Sequence, residues 1–358
     1  MHPVKIIAEV GVNHNGDPAL AKDMIEAAAG CGADYVKFQI FDPKAIVTKT
    51  ASRANYQKRN TGSDESQQSM LSSLALGVDD FQDLVAHCEA CGTRFLASVF
   101  DPGSLEMLTG KLGQRLVKFG SGEISNLPLL LTAARTGSSL IVSTGTATMG
   151  DIELALAMLT FAYSCEGAPN SDLGNVWAAW ADPRKRDIAR KKVSVLHCVT
   201  DYPAQDADLN LGAMHTIEEA FGFPVGYSDH ALSPLPSIVA TALGARWIEK
   251  HFTTDRTLPG PDHVASMEPV EFAKMVKDLR NIQVLLGSGV KAPTERELGN
   301  AGVVRKSLVA ATDIAAGDVF SVRNLALKRP GTGRPPEDYW ALLGQKAGRN
   351  FAEDEFID

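Results

Sequence analysis

Residues 224–252 read PVGYSDHALSPLPSIVATALGARWIEKHF, and this stretch decides the architecture. It opens with a short apolar run, PVGYSDH, that ends at His230. A helix-like segment, Ser233–Gly244, follows, and then a second run, ARWIEKHF, which carries His251. A strand, a helix of about a dozen residues and another strand make a βαβ unit with its two strands parallel in one sheet. The same form recurs upstream. Strand-like runs stand at IIAEVG, YVKFQIF, RFLASVF, RLVKFGSGE, SLIVSTG and KVSVLHC, with helix-like segments at Pro18–Gly30, Asp79–Gly92, Pro128–Gly137 and Met149–Tyr163. Eight such runs over ~280 residues fit a (β/α)8 TIM barrel better than an open sheet. No G-x-G-x-x-G follows a run. GSGEIS, the nearest approach, lacks the third glycine in place, which argues against a dinucleotide fold.

Strand alternation sorts the polar residues, because side chains two apart share a face. Lys37 and Gln39 share one face of their run, with Val36 and Phe38 on the other; Lys118 lies opposite Val117 and Phe119. Glu9 and Ser143 are placed similarly, and Glu249 has the parity of His251. The outer face of a barrel strand packs on helices and is expected to be apolar, so these groups are expected to point inward near the upper rim. One inward lysine is explained by pairing with Glu9. Two inward lysines with serines on neighbouring strands point further, to a site for a dianionic phosphate. His230 and His251, delivered by adjacent strand ends to one rim, form a candidate divalent-metal site, and the second run continues into the acidic segment LPGPDH.

At 358 residues the chain has room for one large domain and a small one. We expect the barrel over residues 1–286, a linker over 287–302 containing GSGVKAPTERE, and a short β-rich domain over 303–358 with Gly317 and Gly331 at turns. A net charge of −8 offers no general attraction to nucleic acid or to anionic membrane, so any phosphate-binding positive charge must be local. The chain enters a strand almost at once and has no apolar run near ~18 residues, which predicts neither signal peptide nor membrane span. Five cysteines, an odd number, suit reduced thiols and a cytoplasmic location. Cys88 and Cys91 form a C-x-x-C inside a helix-like segment with no partner pair, and Cys198 reads as packing. Residues 164–192 interrupt the repeat. Within them WAAWADPRKRDIARKK is expected to form a helical excursion over the rim, its PRKRDIARKK charges reading as a solvated helix face.

The runs IIAEVGVNHNG, VKFQIF, KFGSGE, STGTATMGDIELA, LHCVTDYP, GYSDH and EKHFTTDRTLPGPDH resemble the sialic acid synthase family, and so do VVRKSLVAATDIAAGDVF and NLALKRPGTG near the end. The resemblance covers nearly the whole chain in order. It implies a TIM barrel followed by an antifreeze-like (SAF) domain that leans over the barrel of the neighbouring subunit in a domain-swapped homodimer. The implied reaction is condensation of phosphoenolpyruvate with an N-acylated mannosamine-type sugar. C3 of phosphoenolpyruvate attacks the aldehyde carbon, water adds at C2, and phosphate leaves by C–O cleavage. A divalent metal polarises the aldehyde oxygen; manganese is expected, with magnesium and cobalt as alternatives.

By the same resemblance His230 and His251 correspond to the metal ligands, with water and substrate completing the shell. Lys37, Lys118, Ser121 and Ser143 correspond to the phosphoenolpyruvate cradle. Ser98 stands in A-S-V-F where the family usually has S-T-P-F, and the missing proline is expected to shift that loop. Glu9 matches the acid beside metal and aldehyde. Gln39, Glu123, Tyr202 and Asp262 match groups that hold the sugar or its linear intermediate, and Thr200 stands where some members have asparagine. The partner subunit's Arg329 matches an arginine offered to the N-acyl group, although GTGRPP departs from the usual G-x-G-I-S-P. The segment ANYQKRNTGSDESQQSML resembles the N-acetylneuraminate and legionaminate branch more than the pseudaminate branch. N-acetylneuraminate synthase, using N-acetylmannosamine, is the favoured reading. Legionaminate synthase, using 2,4-diacetamido-2,4,6-trideoxymannose, is the alternative. A barrel aldolase with a Schiff base on Lys118 or Lys37 is a competing class, separable by borohydride trapping with pyruvate. A non-catalytic carbohydrate-binding protein is another, excluded by phosphate release that depends on sugar and metal.

Overall fold

A computed structural model describes residues 3–48, 51, 66–165 and 172–358. Residues 54–65 of the segment that carried the branch resemblance lie outside the described residues. The chain divides into two compact units, residues 1–287 and 288–358.

In the first unit eight parallel strands close into a barrel in sequence order: β1 (Lys5–Gly11), β2 (Tyr35–Ile40), β3 (Arg94–Val99), β4 (Leu116–Phe119), β5 (Ser139–Ser143), β6 (Val193–His197), β7 (Val225–Asp229) and β8 (Trp247–His251). Closure pairs β1 with β8, placing Glu9 opposite His251, while on its other edge Glu9 lies opposite Lys37. Alternation then builds the interior in layers. Ile7, Tyr35, Leu96, Ile141, Leu196 and Trp247 form an apolar layer across the barrel, each burial worth roughly 1.5–3 kcal/mol. Gly226 leaves the room Trp247 needs, since a Cβ there would lie 2.6 Å from the Trp247 carbonyl and 2.8 Å from its Cβ. Two residues further along the same strands lies a polar layer with Glu9, Lys37, Ser98, Lys118, Ser143, Ser228 and Glu249, all buried.

The outward side chains pack beneath the helices, among them Pro18–Gly30, Val78–Ala90, Leu127–Arg135, Met149–Ser164 and Leu235–Ala242. Asp17 caps the first of these, its side chain accepting from the Ala19 amide at 2.8 Å. The outer face is not purely apolar. Asp229 and Lys250 point outward and form a buried ion pair at 3.0 Å. Lys250 also donates to the carbonyls of Ala231 and Ser233, and Asp229 accepts from the Ala231 amide and the Ser237 hydroxyl. This satisfied network holds the turn that carries His230, which is why the pair is tolerated where an apolar face was expected.

The excursion between β5 and β6 also departs from expectation. It forms two helices, Leu173–Ala181 and Pro183–Arg190, which pack against the helix Met149–Ser164 on the flank of the barrel. That helix is apolar nearly all round, with Ile152, Leu156, Leu159 and Phe161 buried, and so needs a cover on its outer side. Trp180 supplies part of it and stacks on Phe223.

In the second unit β9 (Ser307–Ala310) and β10 (Leu325–Lys328) pair antiparallel over a separate core that includes Leu308, Ile314, Phe320, Leu325 and Phe351. The stretch expected as linker contains a helix, Glu295–Val304, started by a capping box in which Thr294 and Glu297 satisfy each other's backbone amides. The GTGRPP turn is built on close approaches. A Cβ on Gly331 would lie 2.5 Å from that of Arg305, and one on Gly333 would lie 2.6 Å from the Phe356 ring.

Candidate active site

Two cavities open at opposite ends of the barrel. The one at the C-terminal ends of the strands, about 230 Å³, is lined by every site residue named from the sequence except Arg329. Arg329 belongs to the second unit, where it is exposed and its Nε donates to the Val304 carbonyl at 3.0 Å.

The floor of this pocket is an ionic network. Lys37 lies 2.8 Å from Glu249 and 3.4 Å from Glu9, and Gln39 donates to Glu9 at 3.2 Å. Lys118 donates to the Ser143 hydroxyl at 2.5 Å and to the Phe119 carbonyl at 3.0 Å, with Glu249 at 3.8 Å. Pairing with Glu9 therefore accounts for part of one lysine. Glu249, whose parity with His251 was legible, is the group sequence reasoning left out of the site. It lies between both lysines and accepts from Ser228 at 2.8 Å. Burial works against its charge, but Lys118 and Lys37 outweigh burial and hold its carboxyl well below the usual range. For Lys37 burial is likewise outweighed, by Glu249 and Glu9, and its pKa is raised. Lys118 has the weaker support, and burial lowers it to about 8.

Glu9 behaves oppositely. Burial pushes its carboxyl up to about 7, with Lys37 pulling it down and Glu249 adding to the rise. The folded protein thus holds a proton that the unfolded chain releases near 4.5. The resulting stabilisation is complete below about 4.5 and is lost as the pH rises through about 7. In chelator, wild type should therefore lose stability relative to Glu9→Gln between pH 5 and pH 8, by on the order of 3 kcal/mol. Urea unfolding at both pH values measures this, and a constant difference would show that Glu9 is ionised throughout.

On the adjacent side stand the two histidines, ring centroids 5.6 Å apart. His230 donates Nδ1–H to the Val199 carbonyl at 2.5 Å. Ser228, 3.3 Å from His230 Nε2, gives its hydroxyl proton to Glu249, so the Nε2 lone pair stays free. His251 Nδ1 is buried without a hydrogen-bond partner among the described residues. Burial lowers His230 to about 4 and His251 well below its ordinary value, so both rings are neutral, the form that binds metal. These donors fit a divalent cation. No cluster of three or more His, Cys, Asp or Glu able to hold a metal occurs among the described residues, so a cation here would need water or substrate for its remaining positions. Tyr202 packs its ring 4.2 Å from His230 and edge-on to His251, which makes it both a packing aromatic and a wall of the pocket.

The same pocket is also lined by Ser98, Ser121, Glu123 and Thr200. Ser121 accepts from the Gly145 amide at 3.1 Å and sits 3.2 Å from the Cys198 sulfur, which is buried packing. Gly145 admits no side chain, since a Cβ would lie 2.1 Å from the Thr200 hydroxyl and 2.6 Å from that of Ser121. Ser98 remains on the inner face despite the missing proline, in register with Gln39 and Lys118. Glu123 accepts from Asn126 at 2.7 Å, and burial raises its pKa.

Asp262 is buried, its Oδ1 has no partner among the described residues, and burial raises it to about 6. Its loop is tied to the loop after β1. Asn13 donates to the Phe252 carbonyl and to Ser266, and Asn15 donates to the Pro259 carbonyl, close to His263. These asparagines of VNHNG are positioning residues that strand parity did not reach.

The pattern described as the NeuB family matches residues 24–291, and that of the SAF domain matches residues 305–358. The chain is 42% identical to an N,N'-diacetyllegionaminic acid synthase of Campylobacter jejuni, over 100% of this chain and 99% of the relative. It is 39% identical to an N,N'-diacetyllegionaminic acid synthase of Legionella pneumophila, over 97% and 91%. Among solved structures, an N-acetylneuraminic acid (sialic acid) synthetase of Leptospira borgpetersenii in complex with citrate is 32% identical, with a TM-score of 0.66 over 84% of this chain and 90% of that one.

Proposed function

The chain belongs to the NeuB family, and from that premise we propose that it joins phosphoenolpyruvate to 2,4-diacetamido-2,4,6-trideoxymannose, releasing phosphate and N,N'-diacetyllegionaminic acid. The observation that carries the choice of sugar is the full-length identity of 42% and 39% to two legionaminic acid synthases, against 32% to the N-acetylneuraminic acid enzyme. This reverses the preference drawn from the motifs alone, whose most branch-specific segment is short.

In this reading Lys37 and Lys118, with Ser121, Ser143 and the Gly145 amide, bind the phosphate and carboxylate of phosphoenolpyruvate. The ligand's charge replaces part of what Glu249 supplies, and the buried setting strengthens each contact. His230 and His251 would hold a divalent cation, manganese in our reading, which would supply Lewis-acid polarisation of the sugar's aldehyde. C3 of phosphoenolpyruvate then bonds to the aldehyde carbon. Glu9, poised near neutrality, hands a proton to the new oxyanion. Water adds at C2 and its released proton returns to the carboxylate; the C2 hydroxyl then becomes the ketone as the C2–O bond to phosphate breaks, the bonding pair and the hydroxyl proton leaving with the phosphate. Tyr202 and Asp262 orient the sugar. The unpaired cysteines suit a cytoplasmic enzyme, and no described helix is long and apolar enough to cross a membrane.

The test is turnover of both sugars by purified enzyme, with the product identified by mass spectrometry. We expect kcat/KM at least tenfold higher for the diacetamido sugar; a preference for N-acetylmannosamine would return the reading to N-acetylneuraminate synthase. We also place the partner's Arg329 against the N-acyl group in a swapped homodimer, on the family resemblance. Mixing Arg329→Ala chains with His251→Ala chains should then restore partial activity, because one site of each heterodimer carries neither lesion. Activity that stays low in heterodimers verified by mass rules the swap out.

A further inference from the structure

The cavity at the other end of the barrel is the larger, about 1120 Å³, and the proposed reaction does not use it. Its rim carries a repeated feature. Lys5 begins β1, Arg94 begins β3, and Arg115, Lys192 and Arg246 immediately precede β4, β6 and β8. The tail of the PRKRDIARKK run, read from the sequence as solvated, also reaches this rim through Arg190 and Lys191.

Acidic groups on the rim are fewer: Asp34, Glu89 and Glu218. Asp34 is already taken by Arg280 at 2.8 Å and by the Ile6 amide at 2.7 Å. Lys5 lies 4.4 Å over the Trp247 ring, and Arg94 donates to the Tyr35 hydroxyl at 2.9 Å. Arg115, Lys191 and Arg246 have no carboxylate or hydrogen-bond partner for their side chains among the described residues. Unmatched cations around one concavity in an acidic protein repel one another and focus a positive potential that an anion relieves. Because they stand on several walls, a single small anion meets only one of them, whereas a chain of phosphates reaches several. Arginine's planar fork suits phosphate oxygens.

We propose that this cavity binds a small molecule bearing a polyphosphate chain, with Arg115, Lys191 and Arg246 as its principal contacts. Both a nucleotide and free polyphosphate offer that chemistry, and the apolar floor of Leu116, Ile141 and Trp247 gives a nucleotide's base a surface to rest on. The apolar layer of the barrel separates this cavity from the polar pocket. Tyr35 and Trp247 are two residues before Lys37 and Glu249 on the same strands, so the two sites are distinct.

The test is calorimetric titration of the full, metal-free chain with ATP, tripolyphosphate and adenosine, in saturating phosphoenolpyruvate. We expect ATP or tripolyphosphate to bind, at least tenfold more weakly to the Arg115→Ser/Lys191→Ser/Arg246→Ser variant. Turnover of that variant should be unchanged, and its thermal unfolding should confirm that it folds. A single Arg184→Ser change, on the same basic run but off the rim, should leave affinity intact. Tighter binding of ATP than of tripolyphosphate identifies a nucleotide, and equal affinity identifies the phosphate chain alone; either supports the site. The proposal is overturned if neither polyanion binds at millimolar concentration with phosphoenolpyruvate present, or if adenosine binds as well as ATP. Equal weakening by Arg184→Ser also overturns it, since that marks non-specific attraction.

Discussion

His251→Ala should reduce turnover by at least ~100-fold while the barrel stays folded, and His230→Ala should do the same. Loss of a group that only orients a metal ligand already costs up to ~100-fold, and these changes remove one of the two ligands we propose. The fold should tolerate both. His251 Nδ1 makes no hydrogen bond among the described residues, so alanine there removes a buried unsatisfied group. His230 loses its bond to the Val199 carbonyl, worth about 1 kcal/mol. Metal content by mass spectrometry should fall with turnover, and circular dichroism should be unchanged. A variant that is stripped of metal, assayed in chelator and still turns over like wild type would falsify the metal assignment.

Lys118→Met should raise the KM for phosphoenolpyruvate far more than that for the sugar. The methionine keeps the packing volume and removes one buried cation of the proposed phosphoenolpyruvate cradle, for which we expect a cost of ~2–5 kcal/mol, or roughly 30-fold to several-thousand-fold in affinity. Glu249 keeps Lys37 at 2.8 Å and its bond from Ser228, so no carboxylate is orphaned and the variant should fold. Steady-state kinetics with each substrate varied in turn separates the outcomes. An unchanged phosphoenolpyruvate requirement would mean that Lys118 serves only as a partner for Glu249 and Ser143.

Both predictions rest on residues legible in the amino-acid sequence itself, because the relevant rule is local. A strand alternates its faces with period two whatever surrounds it. Parity therefore put Glu9, Lys37, Lys118 and Ser143 on one face and linked Glu249 to His251, and the runs ending in polar residues marked the C-terminal rim. The capping box T-E-R-E at residues 294–297 is equally local, but the reading of that stretch as a linker passed over it and the helix it starts.

What only the tertiary structure decided depends on partners far apart in sequence. Closure of β1 against β8 brings Glu9 beside His251 and delivers Glu249 to Lys37, so the lysine expected to meet one carboxylate meets two. Asp229 and Lys250 are acceptable on an outward face only because adjacent strands let them neutralise each other. Asn13 and Asn15 matter through a loop more than two hundred residues away. The basic rim is likewise scattered from Lys5 to Arg246 and becomes one surface only when the strands stand side by side. Periodicity tells each side chain which way to face, because that is set by the backbone on either side of it. Which charge it then meets is set by barrel closure, and closure is a property of the whole chain.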